Sequence, residues 1–156
     1  MTPHPATSPG FLLHDVARLL RRNFTRRIAV LGLTQAQCRA LLHLSRNEGV
    51  RQVDLADTLE IQPITLARLL DQLSEAGYVE RRACPDDRRA FRLALTPEAR
   101  PVLARIRALA SLTWADAIGD VGEARMAQFT KTLADLKSNL MGAEPVAAPE
   151  KERHVA

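Results

Sequence analysis

Residues 61–96 constrain the fold of this chain more than any other stretch, because the spacing of apolar residues changes period within them. Leu66, Leu70 and Leu73 recur at i, i+4 and i+7, which predicts a helix that buries one stripe. Gly77 follows, and glycine is the usual residue in the left-handed position that ends a helix. The first half of the stretch therefore predicts a helix that stops at Gly77.

The second half of this stretch has the period of a strand. Leu93 and Leu95 alternate with Arg92, so two apolar side chains lie on one face and a charged one on the other. Before them, the sequence CPDDRRA combines turn-forming residues with a dense cluster of charge. Five arginines fall between Arg81 and Arg92. We expect two short strands joined by a basic loop, here called the wing.

The helix before the wing has the features of a DNA-reading helix. Pro63 suits its first position, where a missing N–H costs nothing, and Gln62 precedes it as an N-cap. Residues 53–61 predict a supporting helix, and the connection at residues 60–62 is short, as in a helix-turn-helix. The face opposite the leucine stripe comprises Ile64, Thr65, Arg68 and Gln72.

The flanking segments predict further helices. Residues 11–31 repeat an apolar residue every four positions, and Thr34 with Gln37 forms the pattern of a capping box before the next helix. Thr96 and Pro97 are expected to serve as the N-cap and first residue of the helix after the wing. A last helix is predicted over residues 123–141, with heptad-like apolar spacing. These stripes exceed what one small lobe must cover, so we expect the terminal helices to pack against a second copy.

The sequence around the wing resembles that of a known family. Asp87, Arg89 and the closing Leu95-Thr96 follow the reading-helix pattern in register, and there the chain resembles the MarR family of bacterial winged-helix regulators over residues 11–141. The resemblance implies a mainly α fold with a small β-wing. It implies a winged helix-turn-helix lobe at residues 33–96 and dimerisation helices at residues 11–32 and 97–141. Residues 1–10 and 142–156 are expected to be flexible tails.

The resemblance also implies a function, that of a dimeric, sequence-specific DNA-binding transcriptional regulator. We expect a repressor that a small aromatic acid or phenolic ligand releases from a pseudo-palindromic operator. In such families a wing Asp orients a wing Arg in the minor groove, which corresponds here to Asp87 and Arg89. The expected DNA-contacting residues are Thr34, Gln52, Gln62, Pro63, Ile64, Thr65, Arg68, Asp87, Arg88 and Arg89.

For the effector, the candidate polar groups are His14, Arg18 and His43, because Arg pairs with a carboxylate and His changes charge near neutral pH. A redox-responsive repressor that uses Cys38 and Cys84 is an alternative. Two others are an architectural protein that binds DNA without sequence choice and a winged-helix module that binds protein.

Other classes of function find no support in the sequence. A P-loop, a glycine-rich dinucleotide fingerprint and a His-Glu-x-x-His motif are all missing, so we expect no enzyme and no cofactor. The four histidines, His4, His14, His43 and His154, lack metal-ligand spacing. No apolar run approaches the length of a membrane span, and the first residues lack a secretory pattern, which predicts a cytoplasmic protein. The net charge of +4 suits a nucleic-acid partner.

Overall fold

The computed structural model describes residues 8–84 and 87–142, and for Cys84 and residues 87–90 it describes the backbone alone. These residues form a mainly helical fold with one small sheet, which confirms the predicted fold class. The elements in chain order are α1 (Pro9–Ile28), α2 (Gln35–Leu44), β1 (Val50–Arg51), α3 (Gln52–Leu59), α4 (Pro63–Glu75), β2 (Val79–Cys84), β3 (Asp87–Leu95), α5 (Ala99–Ile118) and α6 (Glu123–Gly142). Between α1 and α2, Ala29–Leu31 form a 3-10 turn.

The chain divides into two units, residues 1–117 and 118–156. The core of the first unit is built on α2, α3 and α4, with Leu41, Leu55, Leu66 and Leu70 fully buried. Because an α-helix has about 3.6 residues per turn, leucines three or four positions apart lie on one side of each helix, and the three helices share one apolar centre. In the second unit, no residue of α6 is buried.

The start of α2 has the predicted capping box. The Thr34 hydroxyl accepts from the backbone N–H of Gln37, and the side chain of Gln37 accepts from the backbone N–H of Thr34. Two backbone N–H groups that no helical carbonyl can reach are thereby satisfied. This end of α2 lies beside α4, because Gln37 of the cap also forms a hydrogen bond with Gln72.

The sheet has three antiparallel strands in the order β1-β3-β2. Strand β1 was not predicted, because two residues are too few to show a period. It forms because the Gly49 N–H donates to the Leu93 carbonyl at 2.9 Å, with Gly49 at φ 81°, and pairing continues from Val50 to Leu93. The short strand ties the start of α3 to the wing.

Some predicted boundaries were wrong. Helix α1 begins at Pro9 after an N-cap at Ser8, so residues 8–10 belong to the fold and not to a tail. Helix α5 begins at Ala99, and the Thr96 hydroxyl does not cap it: this hydroxyl donates to the Gly77 carbonyl at 2.6 Å and accepts from no backbone N–H of α5. Gly142, which was predicted to begin the C-terminal tail, is the last residue of α6. The remaining predicted tail residues, 1–7 and 143–156, lie outside the described residues. Among the helices of the described ranges, none has the length and hydropathy to cross a membrane.

Candidate nucleic-acid interface

Helix α4 presents a straight row of exposed side chains. Ile64, Arg68 and Gln72 recur at i, i+4 and i+8, and all three are exposed, Ile64 by 66%. Thr65 is exposed beside this row. The opposite side of α4 buries Leu66, Leu69, Leu70 and Leu73, so the core holds the helix and leaves the row open. We call Ile64, Arg68 and Gln72 the reading row.

The start of α4 is also open. Gln62 is the N-cap residue, but its side chain makes no capping hydrogen bond, and Pro63 occupies the first turn. Both residues are exposed. The tight turn before them depends on Glu60, which takes the left-handed conformation at φ 55°. Because the Gln62 side chain is not used by the helix, it is free to contact a ligand at this end.

The wing strands are held against α4. A guanidinium nitrogen of Arg81 on β2 lies 2.7 Å from a carboxylate oxygen of Asp71 on α4, and the Tyr78 N–H donates to the Leu73 carbonyl. The Asp71 carboxylate is exposed, so the ion pair contributes little to stability. The ion pair instead orients β2 relative to α4, because it joins the helix that carries the reading row to the strand that leads into the wing.

Three arginines lie side by side across the sheet, one on each strand. Arg92 on β3 pairs in register with Arg51 on β1 and with Arg82 on β2. Like charges directly opposite one another repel. Here each arginine has a partner within the protein, which compensates the repulsion. Arg51 is bonded to Asp54 at 2.9 Å, Arg82 to Glu80 at 2.6 Å, and Arg92 to the Gly49 carbonyl at 2.8 Å.

The side chains of the Arg51 pair are exposed to solvent. The hydrogen bond from Arg51 lowers the pKa of the Asp54 carboxyl below its ordinary value, and the same bond raises the pKa of Arg51. Both groups therefore stay charged near neutral pH. Since the guanidinium of Arg51 already has a carboxylate partner, it is a weaker candidate for a phosphate contact than an unpaired arginine.

The predicted contacts on other elements are dispersed over the lobe. Thr34 is exposed at the start of α2, with its hydroxyl committed to the capping box. Gln52 is the first residue of α3 and is half-buried. The backbone of Asp87, Arg88 and Arg89 runs in β3, but their side chains lie outside what the structure describes. Their roles stay predictions.

A cleft of about 270 Å³ lies among α1, α2 and α5 of the first unit. Most of its lining is apolar. The charged side chain among the described residues that line it is Arg21, which makes no ion pair with any described carboxylate. Gln35, at the start of α2, also lines the cleft. Apolar side chains in the lining include Leu20, Phe24, Leu42 and Trp114.

None of the three predicted effector residues lines this cleft. Arg18 is exposed and bonded to Asp15 at 3.0 Å. His14 lies in a shallow surface depression with Phe11, and His43 is half-buried in the last turn of α2. Arg21 was not among the predicted effector residues, although its position next to Leu20 and three residues before Phe24 places it at the edge of the predicted apolar stripe.

Neither a redox nor a metal site is evident among the described residues. Cys38 is a free, fully buried cysteine, and burial raises the pKa of its thiol to about 11. Because the thiolate is the reactive form, this cysteine is unreactive near neutral pH. Cys84 was the second predicted cysteine, and its side chain lies outside the described residues. In residues 8–84 and 87–142, His, Cys, Asp and Glu form no group that could hold a metal ion.

The supporting helix α3, the exposed row on α4 and the strand pair that follows define a winged helix-turn-helix. A sequence model of the MarR family matches residues 31–90. A solved transcriptional regulator is 37% identical, with 86% of this chain and 98% of that chain covered and a TM-score of 0.75. A solved MarR is 28% identical, with 87% and 100% covered and a TM-score of 0.75. The chain belongs to the MarR family.

A further similar structure holds a small molecule. It is a MarR family protein of Mycobacterium tuberculosis in complex with salicylic acid, 26% identical to this chain. The match covers 83% of this chain and 96% of that protein, with a TM-score of 0.70. The relatives thus include both transcriptional regulators and a protein that binds an aromatic acid.

Proposed function

We propose that this protein is a dimeric, sequence-specific DNA-binding transcriptional regulator of the cytoplasm, and that it acts as a repressor. The observation that carries this proposal is the reading row on α4, three exposed side chains of different chemistry on a helix whose other side is anchored in the core. A helix held in this way fits the major groove, whose base edges present distinct donors, acceptors and methyl groups.

The contacts divide by type. In α4, the exposed Arg68 and Thr65 are proposed to contact base edges, and the exposed Ile64 is proposed to contact a thymine methyl group. Gln62 and Pro63 lie at the end of the same helix. Thr34 and Gln52, near helix starts, are proposed to contact phosphates. On the wing, Arg89 is proposed to enter the minor groove, with Asp87 orienting it and Arg88 beside it.

The dimer proposal rests on apolar side chains that are exposed in each unit. In the first unit, α1 exposes a run of large apolar residues near its start, Phe11, Leu12, Leu13, Val16 and Leu19. In the second unit, α6 buries none of its residues yet carries Phe129, Leu136, Leu140 and Met141. A helix gains most of its stability from packing an apolar face. These surfaces therefore fit contact with a second copy, in keeping with the two-fold symmetry of most dimers.

A two-fold dimer predicts the form of the operator. We expect selection from a random duplex pool at ~150 mM salt to enrich an inverted repeat with half-sites about ten base pairs apart. At this salt concentration, binding by charge alone is already weakened. Retention of DNA without enrichment would indicate the architectural alternative. Retention of no DNA would contradict the proposed function and favour a winged-helix module that binds protein.

For the effector, we propose a small aromatic carboxylate bound in the cleft among α1, α2 and α5. The apolar lining fits an aromatic ring. The guanidinium of Arg21, which pairs with none of the carboxylates that the structure describes, fits a carboxylate and can bind it through two hydrogen bonds. The complex of the Mycobacterium tuberculosis relative with salicylic acid supports this class of ligand. The redox alternative has less support, because the described cysteine, Cys38, is buried and its thiol has a raised pKa.

The effector site makes a testable prediction. Arg21→Gln is expected to weaken salicylate binding by at least about tenfold, because a charge-assisted pair to the carboxylate is lost. Calorimetric titration measures the affinity, and DNA release measures the response. Arg18→Gln removes the same charge from the same helix but outside the cleft, and it should bind salicylate like the parent. Loss of binding in Arg18→Gln with normal binding in Arg21→Gln would move the site to the residues predicted from the sequence.

A further inference from the structure

Gln72 lies at the end of the reading row. The capping box at the start of α2 determines which atom of its side-chain amide faces α2. Gln37 on α2 is only 8% exposed, and its side chain lies between the start of α2 and α4. Its Nε2 donates to Oε1 of Gln72 at 3.0 Å. This hydrogen bond joins a buried polar side chain of α2 to the reading row on α4.

The direction of this contact follows from the chemistry of the donors. The backbone N–H of Thr34 lies 2.8 Å from the side-chain oxygen of Gln37, and an N–H can only donate. The atom of Gln37 that faces Thr34 must therefore be its oxygen, and the Thr34 hydroxyl also reaches this oxygen, at 3.1 Å. The amide nitrogen of Gln37 then necessarily faces Gln72. Because this nitrogen is a donor, the atom of Gln72 that meets it must be its oxygen.

The consequence appears on the exposed side of Gln72. With its oxygen turned toward α2, Gln72 directs its Nε2 hydrogens away from α2, and no described residue accepts them. An amide whose oxygen already accepts a hydrogen bond is a stronger donor through its nitrogen. The paired contacts that a freely rotating glutamine makes to adenine use its oxygen and its nitrogen together, and here the oxygen already accepts a hydrogen bond from Gln37.

We propose that Gln72 is a DNA-contacting residue presented as a donor, and that Gln37 is the positioning residue that sets this polarity. The proposal rests on the proposed function, since DNA is the ligand. The partner of Gln72 is an acceptor atom of DNA, either an oxygen or nitrogen on a base edge, such as O6 or N7 of guanine, or a phosphate oxygen.

The first test removes the donor. Gln72→Leu is expected to bind the selected operator about tenfold more weakly than the parent, the loss of one hydrogen bond to DNA. Fluorescence anisotropy on the operator, on its single-base variants and on a scrambled duplex separates the two acceptors. A loss of preference at one base pair indicates a base-edge acceptor, and an equal loss on all duplexes indicates a phosphate. Binding equal to the parent on every duplex would overturn the proposal.

A second variant covers the case in which Gln72→Leu disturbs folding. Gln72→Glu keeps an oxygen that accepts from Gln37, but it replaces the outward donor with an acceptor. It is expected to weaken operator binding by more than tenfold, because an anionic oxygen now faces the acceptors of DNA. Parent-like binding by this folded variant would also overturn the proposal.

The positioning role has its own test. Gln37→Glu retains the capping box, since Glu is as suitable as Gln at this position and a negative charge is favourable at a helix start. The new carboxylate has no hydrogen to donate, so the Gln72 amide is expected to rotate, donate to it and present its oxygen to DNA. Operator binding should weaken by about tenfold or more, although Gln72 itself is unchanged.

Gln35→Glu is the matched control for charge. It adds the same charge to the same turn of α2, but Gln35 faces the cleft and makes no contact with Gln72. A smaller loss in Gln35→Glu than in Gln37→Glu supports the positioning role, and equal losses overturn it. If the parent itself bound no DNA, the proposed function and this inference would both be wrong; parent binding with unchanged Gln72 variants would remove the inference alone.

Discussion

Leu70→Ala is expected to lower the free energy of unfolding by about 2–5 kcal/mol, because it removes a fully buried side chain from the centre of the helical core. The loss combines the transfer free energy of the deleted methyl groups with the cost of the cavity that remains. Leu70 belongs to α4, so its core contacts also hold the reading row in place. Operator binding should therefore weaken in step with the loss of folded protein.

Urea unfolding followed by circular dichroism, at a fixed protein concentration for parent and variant, measures this effect. Glu75→Ala is the control, because Glu75 is an exposed residue of the same helix and its removal should change stability by about 0.5 kcal/mol or less. A midpoint for Leu70→Ala equal to that of the parent would show that the core does not depend on this packing.

Arg68→Ala is expected to lose about 1–3 kcal/mol of discrimination at one guanine of the operator, roughly a 5- to 150-fold change in affinity ratio. The guanidinium of Arg68 is exposed at the middle of the reading row and makes no hydrogen bond to a described residue. It is thus free to donate two parallel hydrogen bonds to O6 and N7. Folding should be unaffected, since the side chain contributes nothing to the core.

The measurement is the affinity of parent and variant for the operator and for duplexes with each base pair exchanged. Arg105→Ala removes the same charge from the exposed surface of α5, and it should reduce affinity slightly and equally on all duplexes. If Arg68→Ala instead kept the full preference at every position, α4 would not be the element that reads the bases.

Much of the DNA-binding lobe could be predicted from the sequence. Helix α4 begins at Pro63 as expected, its leucines are buried, and Ile64, Thr65 and Arg68 are exposed. The capping box of Thr34 and Gln37 was also confirmed. These features depend on residues close together in the chain, whose spacing alone decides which side of a helix they occupy.

Two of the features that were not predicted correctly depend on residues distant in the chain. Strand β1 exists only because Leu93, far along the chain, provides a carbonyl for Gly49. Thr96 has the chemistry of an N-cap, but its hydroxyl is oriented toward Gly77, donates to that carbonyl at 2.6 Å and accepts from no backbone N–H of α5. The start of α1 was placed two residues too late, because Ser8 was not considered as a cap. The first two depend on pairings that no local pattern contains.

The sequence by itself determined the class of fold and the face of α4 that stays exposed, because helical and strand periods are local properties of the chain. Only the tertiary structure decided which polar groups meet. It places Arg21, and not Arg18, in the cleft, and it joins Gln37 to Gln72 across thirty-five positions. Hydrogen bonds and clefts depend on distances of a few ångströms between separate elements, and the packing of the helices sets these distances.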